Sequence, residues 1–311
     1  MIKRTLYFGN PAYLSRKNEQ LVVRLPEVEK NDTLPNEFKK EIQASIPIED
    51  IGVVILDHQQ IVITQALMAS LLENNVALIT CDKTHHPTGL LLNLAGNQLQ
   101  SAKFKAQLGA SQPLIKQLWQ QTIKAKITNQ ATILKRYGKE ASNMMKWADD
   151  VRSGDPDNLE ARAAAYYWKN IFPEVADFKR EREGIAPNNL LNYAYAIVRA
   201  IVARSLVGSG LLPTLGIHHR NQYNHYCLAD DIMEPYRPFA DALVVEIVRN
   251  GEDYSELNTS IKKQLLGVAS VDTVFDDERS PFMIAVQRST ASLAKCFEGE
   301  ATKLLYPKLP S

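Results

Sequence analysis

A chain of 311 residues, 45% hydrophobic and 23% charged, reads as a soluble globular protein of one large domain or two ordinary ones. Its 36 Lys and Arg nearly balance 35 Asp and Glu, so a surface for a polyanion has to come from local segregation of charge, not from overall basicity. Three scattered cysteines (Cys81, Cys227, Cys296) exclude a disulfide framework or zinc knuckle, and with no apolar leader and no run approaching a membrane span the expected compartment is the cytoplasm.

The first third is written for strands. Residues 5–9, 20–25, 52–57 and 76–81 are short, rich in Val, Ile and aromatics, and bounded by Gly, Pro, Asn or Asp. Polar residues Ser15 to Asn18 predict a hairpin between the first two. Residues 63–75 place Ile63, Ala66, Leu67, Leu71 and Leu72 on a helical stripe, and 88–94 read as one more strand. No Gly-rich phosphate loop follows these strands, which excludes a nucleotide-binding βαβ unit. The segment 26–45 reads as a long loop, and His58, His85 and His86 read as loop residues facing solvent.

From about residue 98 the pattern turns helical. Helices are expected over 113–137, 139–150, a stretch capped by Asp155 with Pro156 as first helical residue, 188–206, 227–234, 238–250, 256–266 and 281–298. The tail from Tyr306 to Ser311 is expected to be loose. Lys116, Lys124, Lys126, Lys135, Arg136, Lys139 and Lys146 read as solvated helix faces. The predicted architecture is α+β: a small β-rich N-terminal domain over 1–96 and a larger all-helical domain over 97–311.

The most informative stretch runs from Gly216 to Pro238 and holds three of the six histidines. On its helix, Asp231 and Asp230 lie three and four residues before Glu234, so two carboxylates share a face. Loop histidines opposite crowded carboxylates make a ligand mixture for a divalent metal; a solvated helix start rich in acids is the plainer reading.

The stretch GIHHRNQYN (216–224) followed by DIMEPYRP (231–238) resembles the diagnostic segment of the CRISPR-associated integrase of spacer acquisition, the "Cas-one" family. The variant it is similar to accompanies single-effector, dual-nuclease (type II) systems, and the similarity runs over most of the chain. The resemblance implies a two-domain build, a homodimer formed through the N-terminal domains, and a site binding Mg²⁺ or Mn²⁺. Carried over residue by residue, it assigns three metal ligands and catalytic residues: Glu160, His219 (rather than its neighbour His218) and Glu234. Asp231, Arg237 and His225 are candidates to support that site from behind, and Arg220, Arg162 and Lys169 to contact DNA. It further implies insertion of short double-stranded DNA into a CRISPR repeat by 3′-hydroxyl attack, with a small "Cas-two" partner and an effector nuclease or accessory protein. The residues themselves leave open a stand-alone metal nuclease acting on branched or single-stranded DNA, or a helical interaction protein whose acids are surface decoration. Taken as one of several crowded acids on a helix with a separate apolar face, Glu234 is expected to be dispensable for folding.

Overall fold

The computed structural model describes residues 3–26, 44–275 and 278–310, and its chain divides into two compact units, Met1–Gly96 and Asn97–Ser311. Most of the loop expected over 26–45 lies outside the described residues.

In the first unit, β1 (Arg4–Phe8), β5 (Ile51–Leu56), β7 (Ala77–Cys81) and β8 (Pro87–Leu91) form one four-stranded sheet in that order. The first three run parallel and β8 is antiparallel to β7. Strand β5 lies inside, with Ile51, Val53, Val54 and Ile55 fully buried, which is why it reads as a continuous apolar run. A second sheet orders β4 (Ala44–Pro47), β3 (Gln20–Arg24), β2 (Ala12–Lys17) and β6 (Ile61–Ile63). The predicted hairpin joins β2 to β3 rather than β1 to β3, because Pro11 interrupts the chain before Ala12 and Leu14 alternate inward. Its turn residues, Asn18 and Glu19, take φ values of 49° and 58°, the two positive values that a two-residue hairpin turn requires. Helix α1 (Gln65–Glu73) is capped by Thr64, and its Leu67 and Leu71 join Leu14, Leu21, Ile48 and Ile51 in the core. His85 is exposed, as expected of a loop histidine, and its Nδ1 also bonds the buried Asp57 carboxylate at 2.9 Å.

Among its described residues the second unit is helical apart from one hairpin and a single bridge to it from the C-terminal tail. In order come α2 (Gln100–Leu108), α3 (Gln112–Arg136), α4 (Ser142–Asp150), α5 (Leu159–Ile171), α6 (Asn188–Gly208), α7 (Cys227–Met233), α8 (Arg237–Arg249), α9 (Thr259–Leu266) and α10 (Phe282–Phe297). The hairpin, β9 (Asp272–Phe275) with β10 (Glu278–Pro281), was masked in the sequence by its brevity. Helix α6 has 21 residues and a window of mean hydropathy 1.4, contrary to the expectation that no run is long and apolar enough to span a membrane. That window is 78% buried inside the protein, as a core helix requires.

Two local corrections bear on the site. Helix α5 begins at Leu159 rather than at Pro156, since Asp155 and Asn158 take positive φ and form a turn first. The Asp155 carboxylate still caps it, accepting from the N–H groups of Leu159 at 2.9 Å and Glu160 at 3.0 Å. The C-terminal tail is not loose. Lys308 bridges to Val274, Leu309 is buried, and the buried amide of Asn129 holds the carbonyl of Pro307 and the N–H of Leu309.

Candidate active site

The histidine loop is built on one buried carboxylate. Asp231, fully buried on α7, accepts the backbone N–H of His218 at 2.9 Å and that of His219 at 3.2 Å. Its Oδ1 also takes His219 Nδ1 at 2.5 Å, leaving Nε2 as the ring nitrogen that can act elsewhere. That hydrogen bond is the main reason the imidazole pKa is raised above its ordinary value, with burial opposing it. Trp119, on α3, stacks on His218 at 4.0 Å and meets the His219 ring edge-on at 6.0 Å, which fixes both rings. Gly216 is required here, because a Cβ would overlap the His219 carbonyl and stand 2.7 Å from Asp231 Oδ2. Neighbouring Asp230 is satisfied separately, by Arg199 at 2.6 Å and Asn224 at 2.7 Å.

Glu234 lies where α7 gives way to a short 3₁₀ turn, Glu234–Tyr236, before α8. Pro235 lacks an N–H to continue the α-helical ladder, and Asn129 holds its carbonyl at 2.8 Å. The Glu234 side chain is 4% exposed and sits between two cations. Arg237 reaches Oε1 at 2.9 Å and Lys126 reaches Oε2 at 2.6 Å. The same Lys126 ammonium lies 2.6 Å from Oε1 of Glu160, so α5 and the 3₁₀ turn after α7 bring their glutamates to one point on α3. Burial would raise the Glu234 pKa, but Arg237 and Lys126 outweigh it and hold the carboxyl below its ordinary value. Burial likewise opposes the Lys126 charge, and Glu234 and Glu160 outweigh it, so that its pKa is raised. Among the described residues no three His, Cys, Asp or Glu side chains already stand as a metal-holding cluster. Glu160 and Glu234 meet on Lys126, while His219 bonds Asp231 and is near enough to Glu234 for their charges to interact.

Behind this site, Asp241 of α8 ties three helices together. Its carboxylate accepts the phenols of Tyr195 on α6 at 2.5 Å and Tyr167 on α5 at 2.9 Å, and the Tyr195 ring in turn faces the Arg237 guanidinium at 4.9 Å. Burial raises the Asp241 pKa from 3.8 to about 6 despite the two phenols. The fold therefore retains a proton that the unfolded chain has released. The resulting stability is complete below pH 3.8 and is lost as pH rises through about 6, roughly 3 kcal/mol in all. Urea denaturation should accordingly show Asp241→Asn gaining on the wild type as pH rises from 4.5 to 7.5. A stability difference flat across that range would mean that Asp241 is already ionised in the fold at acid pH.

The remaining candidates are dispersed. Arg220 lines two cavities of about 430 and 320 Å³ at the histidine loop, the first including His219 and the second Trp119, Lys116 and His218. Lys169 instead lines a different cavity with Trp168, Phe172 and Phe178. Arg162 is exposed, with its guanidinium 5.9 Å from the Trp147 ring, and His225 is exposed on the loop. Sequence reasoning missed Lys126, Trp119 and Asn129. Lys126 did carry a signal: it shares the buried stripe of Leu118, Ile123, Ile127 and Leu134, a place where a solvated lysine does not belong.

Comparison with known proteins is consistent along the whole chain. A model of the family described as "CRISPR associated protein Cas1" matches residues 6–264. The CRISPR-associated endonuclease Cas1 of Neisseria meningitidis serogroup C (strain 8013) is 37% identical, over 99% of this chain and 97% of that protein. Among solved structures, a casposase bound to integration product superposes with a TM-score of 0.76 at 17% identity, over 98% of this chain and 92% of that one. A Cas6-RT-Cas1–Cas2 complex matches with a TM-score of 0.74 at 21% identity, over 99% of this chain and 36% of that one. With the fold shared across these structures, and sequence kinship extending over nearly its full length, the chain belongs to the CRISPR-associated protein Cas1 family.

Proposed function

We propose that this protein is a divalent-metal-dependent DNA integrase and endonuclease that joins short DNA fragments to a CRISPR repeat. The observation that carries this reading is the meeting of Glu160 and Glu234 on one buried positive charge beside the Asp231-held histidine. The donor set fits Mg²⁺ or Mn²⁺. Two carboxylates supply hard oxygens, and Oε2 of Glu234 is buried with the Lys126 ammonium 2.6 Å away. Glu160, Glu234 and His219 through Nε2 would hold the ion, and Asp231 would orient the imidazole from behind. When bound, such an ion supplies charge to a phosphodiester and stabilises the oxygen that leaves.

The protein's own groups position the reactants. Arg237 keeps Glu234 from turning away, Trp119 and Asp231 hold the histidine loop, and Arg220 offers a guanidinium to phosphates in the adjoining clefts. Integration is a transesterification: the fragment's 3′-oxygen bonds to a repeat phosphorus as the bond to the repeat's own 3′-oxygen breaks, so phosphodiesters are conserved. Water in place of that hydroxyl gives the nuclease reaction. Two similar structures, a casposase bound to integration product and a Cas6-RT-Cas1–Cas2 complex, support strand transfer with a small Cas2 partner. Pairing of two copies through the N-terminal unit and recruitment by an effector or accessory protein belong to the same proposal, and a chromosomal target implies a cytoplasmic protein.

The test combines the protein with a Cas2 partner, a fragment labelled beside its 3′-hydroxyl and a supercoiled plasmid bearing a repeat. Label should become covalently attached to the plasmid, and EDTA should abolish the product. Cleavage of branched or single-stranded DNA without joining would favour the stand-alone nuclease instead.

A further inference from the structure

Resting on that metal assignment, a further role falls to Lys126. Its side chain is 10% exposed, set in the apolar stripe of α3 between Ile123 and Ile127. Its Nζ stands 2.6 Å from one oxygen of Glu160 and 2.6 Å from one oxygen of Glu234. Without it, two carboxylates from different helices would face each other in a largely buried place, where like charges repel far more than in water. With it, the oxygens that would ligate a metal are already engaged by a cation. The ammonium and a divalent ion cannot share these oxygens at close range, because they too repel.

We infer that Lys126 is an internal counter-cation, holding Glu160 and Glu234 together in the metal-free protein and yielding their oxygens when a divalent ion binds. A lysine suits this role better than an arginine would. Its charge is compact, on a flexible stem that can swing aside, whereas a guanidinium would grip a carboxylate through two hydrogen bonds. The Arg237 contact on the other oxygen of Glu234 can remain, so Glu234 keeps its orientation as Lys126 departs. The lysine is a positioning residue that sets metal affinity and apo stability against each other.

The experiment titrates Mn²⁺ alone, without DNA, into the full chain, counting free ion by electron paramagnetic resonance and recording melting temperature with and without metal. Lys126→Met should melt lower than wild type without metal, bind Mn²⁺ at least about fivefold tighter, the lower end of ordinary coupling between sites, and show a larger metal-induced rise in melting temperature. Lys126→Arg, which keeps the charge, should bind Mn²⁺ more weakly than wild type. Glu234→Gln should lose Mn²⁺ binding. If Glu234→Gln loses the ion but Lys126→Met binds it no tighter than wild type, the counter-cation role is wrong. Should Lys126→Met not fold without metal, Lys126→Arg decides: affinity equal to wild type overturns the inference. Undiminished Mn²⁺ binding by Glu234→Gln would instead show that the metal assignment fails, and the inference with it.

Discussion

Glu234→Ala should abolish strand transfer and lower the melting temperature together. The Glu234 carboxylate is buried between the Lys126 ammonium at 2.6 Å and the Arg237 guanidinium at 2.9 Å. Truncation leaves those cations short of a counter-charge, and breaking a buried ion pair costs about 3–5 kcal/mol. For a protein of this size that is a fall on the order of 10 °C. This reverses the view from sequence, in which Glu234 was one of several repelling acids that folding could do without. Glu234→Gln separates the two effects: it keeps the shape and one acceptor, so much of the stability should survive while transfer is still lost. Melting temperature, DNA affinity and plasmid-joined label, each in Mg²⁺ and Mn²⁺, read the outcome. Undiminished joining by Glu234→Ala would remove this residue from the reacting centre.

Asp231→Ala is the second large effect, and it acts through the loop. The side chain satisfies two backbone N–H groups, His218 and His219, and the His219 ring. Each N–H left buried without a partner costs about 1–3 kcal/mol. Loss of the group that orients a metal-binding imidazole typically costs about 10–100-fold in affinity or activity. Asp231→Asn retains the shape and a single acceptor oxygen, so it should hold the loop better than Ala. It also lacks the carboxylate whose hydrogen bond raises the His219 pKa, which should therefore fall towards the ordinary imidazole value. An NMR titration of His219 in both proteins reads this directly. Identical titrations would show that the 2.5 Å contact does not persist in solution.

Much of the fold was legible because its elements carry strong local periodicity. Strand β5 is an unbroken apolar run, and α3, α6 and α10 repeat their buried residues at three and four positions. Where local signals were weak, the reading slipped. Strand β2 has only Ala12 and Leu14 facing inward, the β9–β10 hairpin has four residues a side, and the start of α5 is displaced by two left-handed residues. The tail looked loose because its partner, Asn129, lies far away in the chain, and distant contacts leave no mark on nearby sequence.

The site divides in the same way. By itself the sequence determined a histidine loop followed at fixed spacing by Asp231, Glu234 and Arg237, while Glu160, an ordinary acid in the first turn of its helix, was singled out only by the family resemblance. Spacing along one helix could even place Arg237 within reach of Glu234, since residues three apart share a face. Only the tertiary structure decided that Asp231 turns inward to hold the histidine loop while Glu234 turns towards α3. Only there does Lys126, one lysine among seven basic residues in its stretch of sequence, become the charge on which two distant glutamates meet. The reason is physical: a buried charge is tolerated only where opposite charge is brought to it, and which residues do so is settled by how three helices pack.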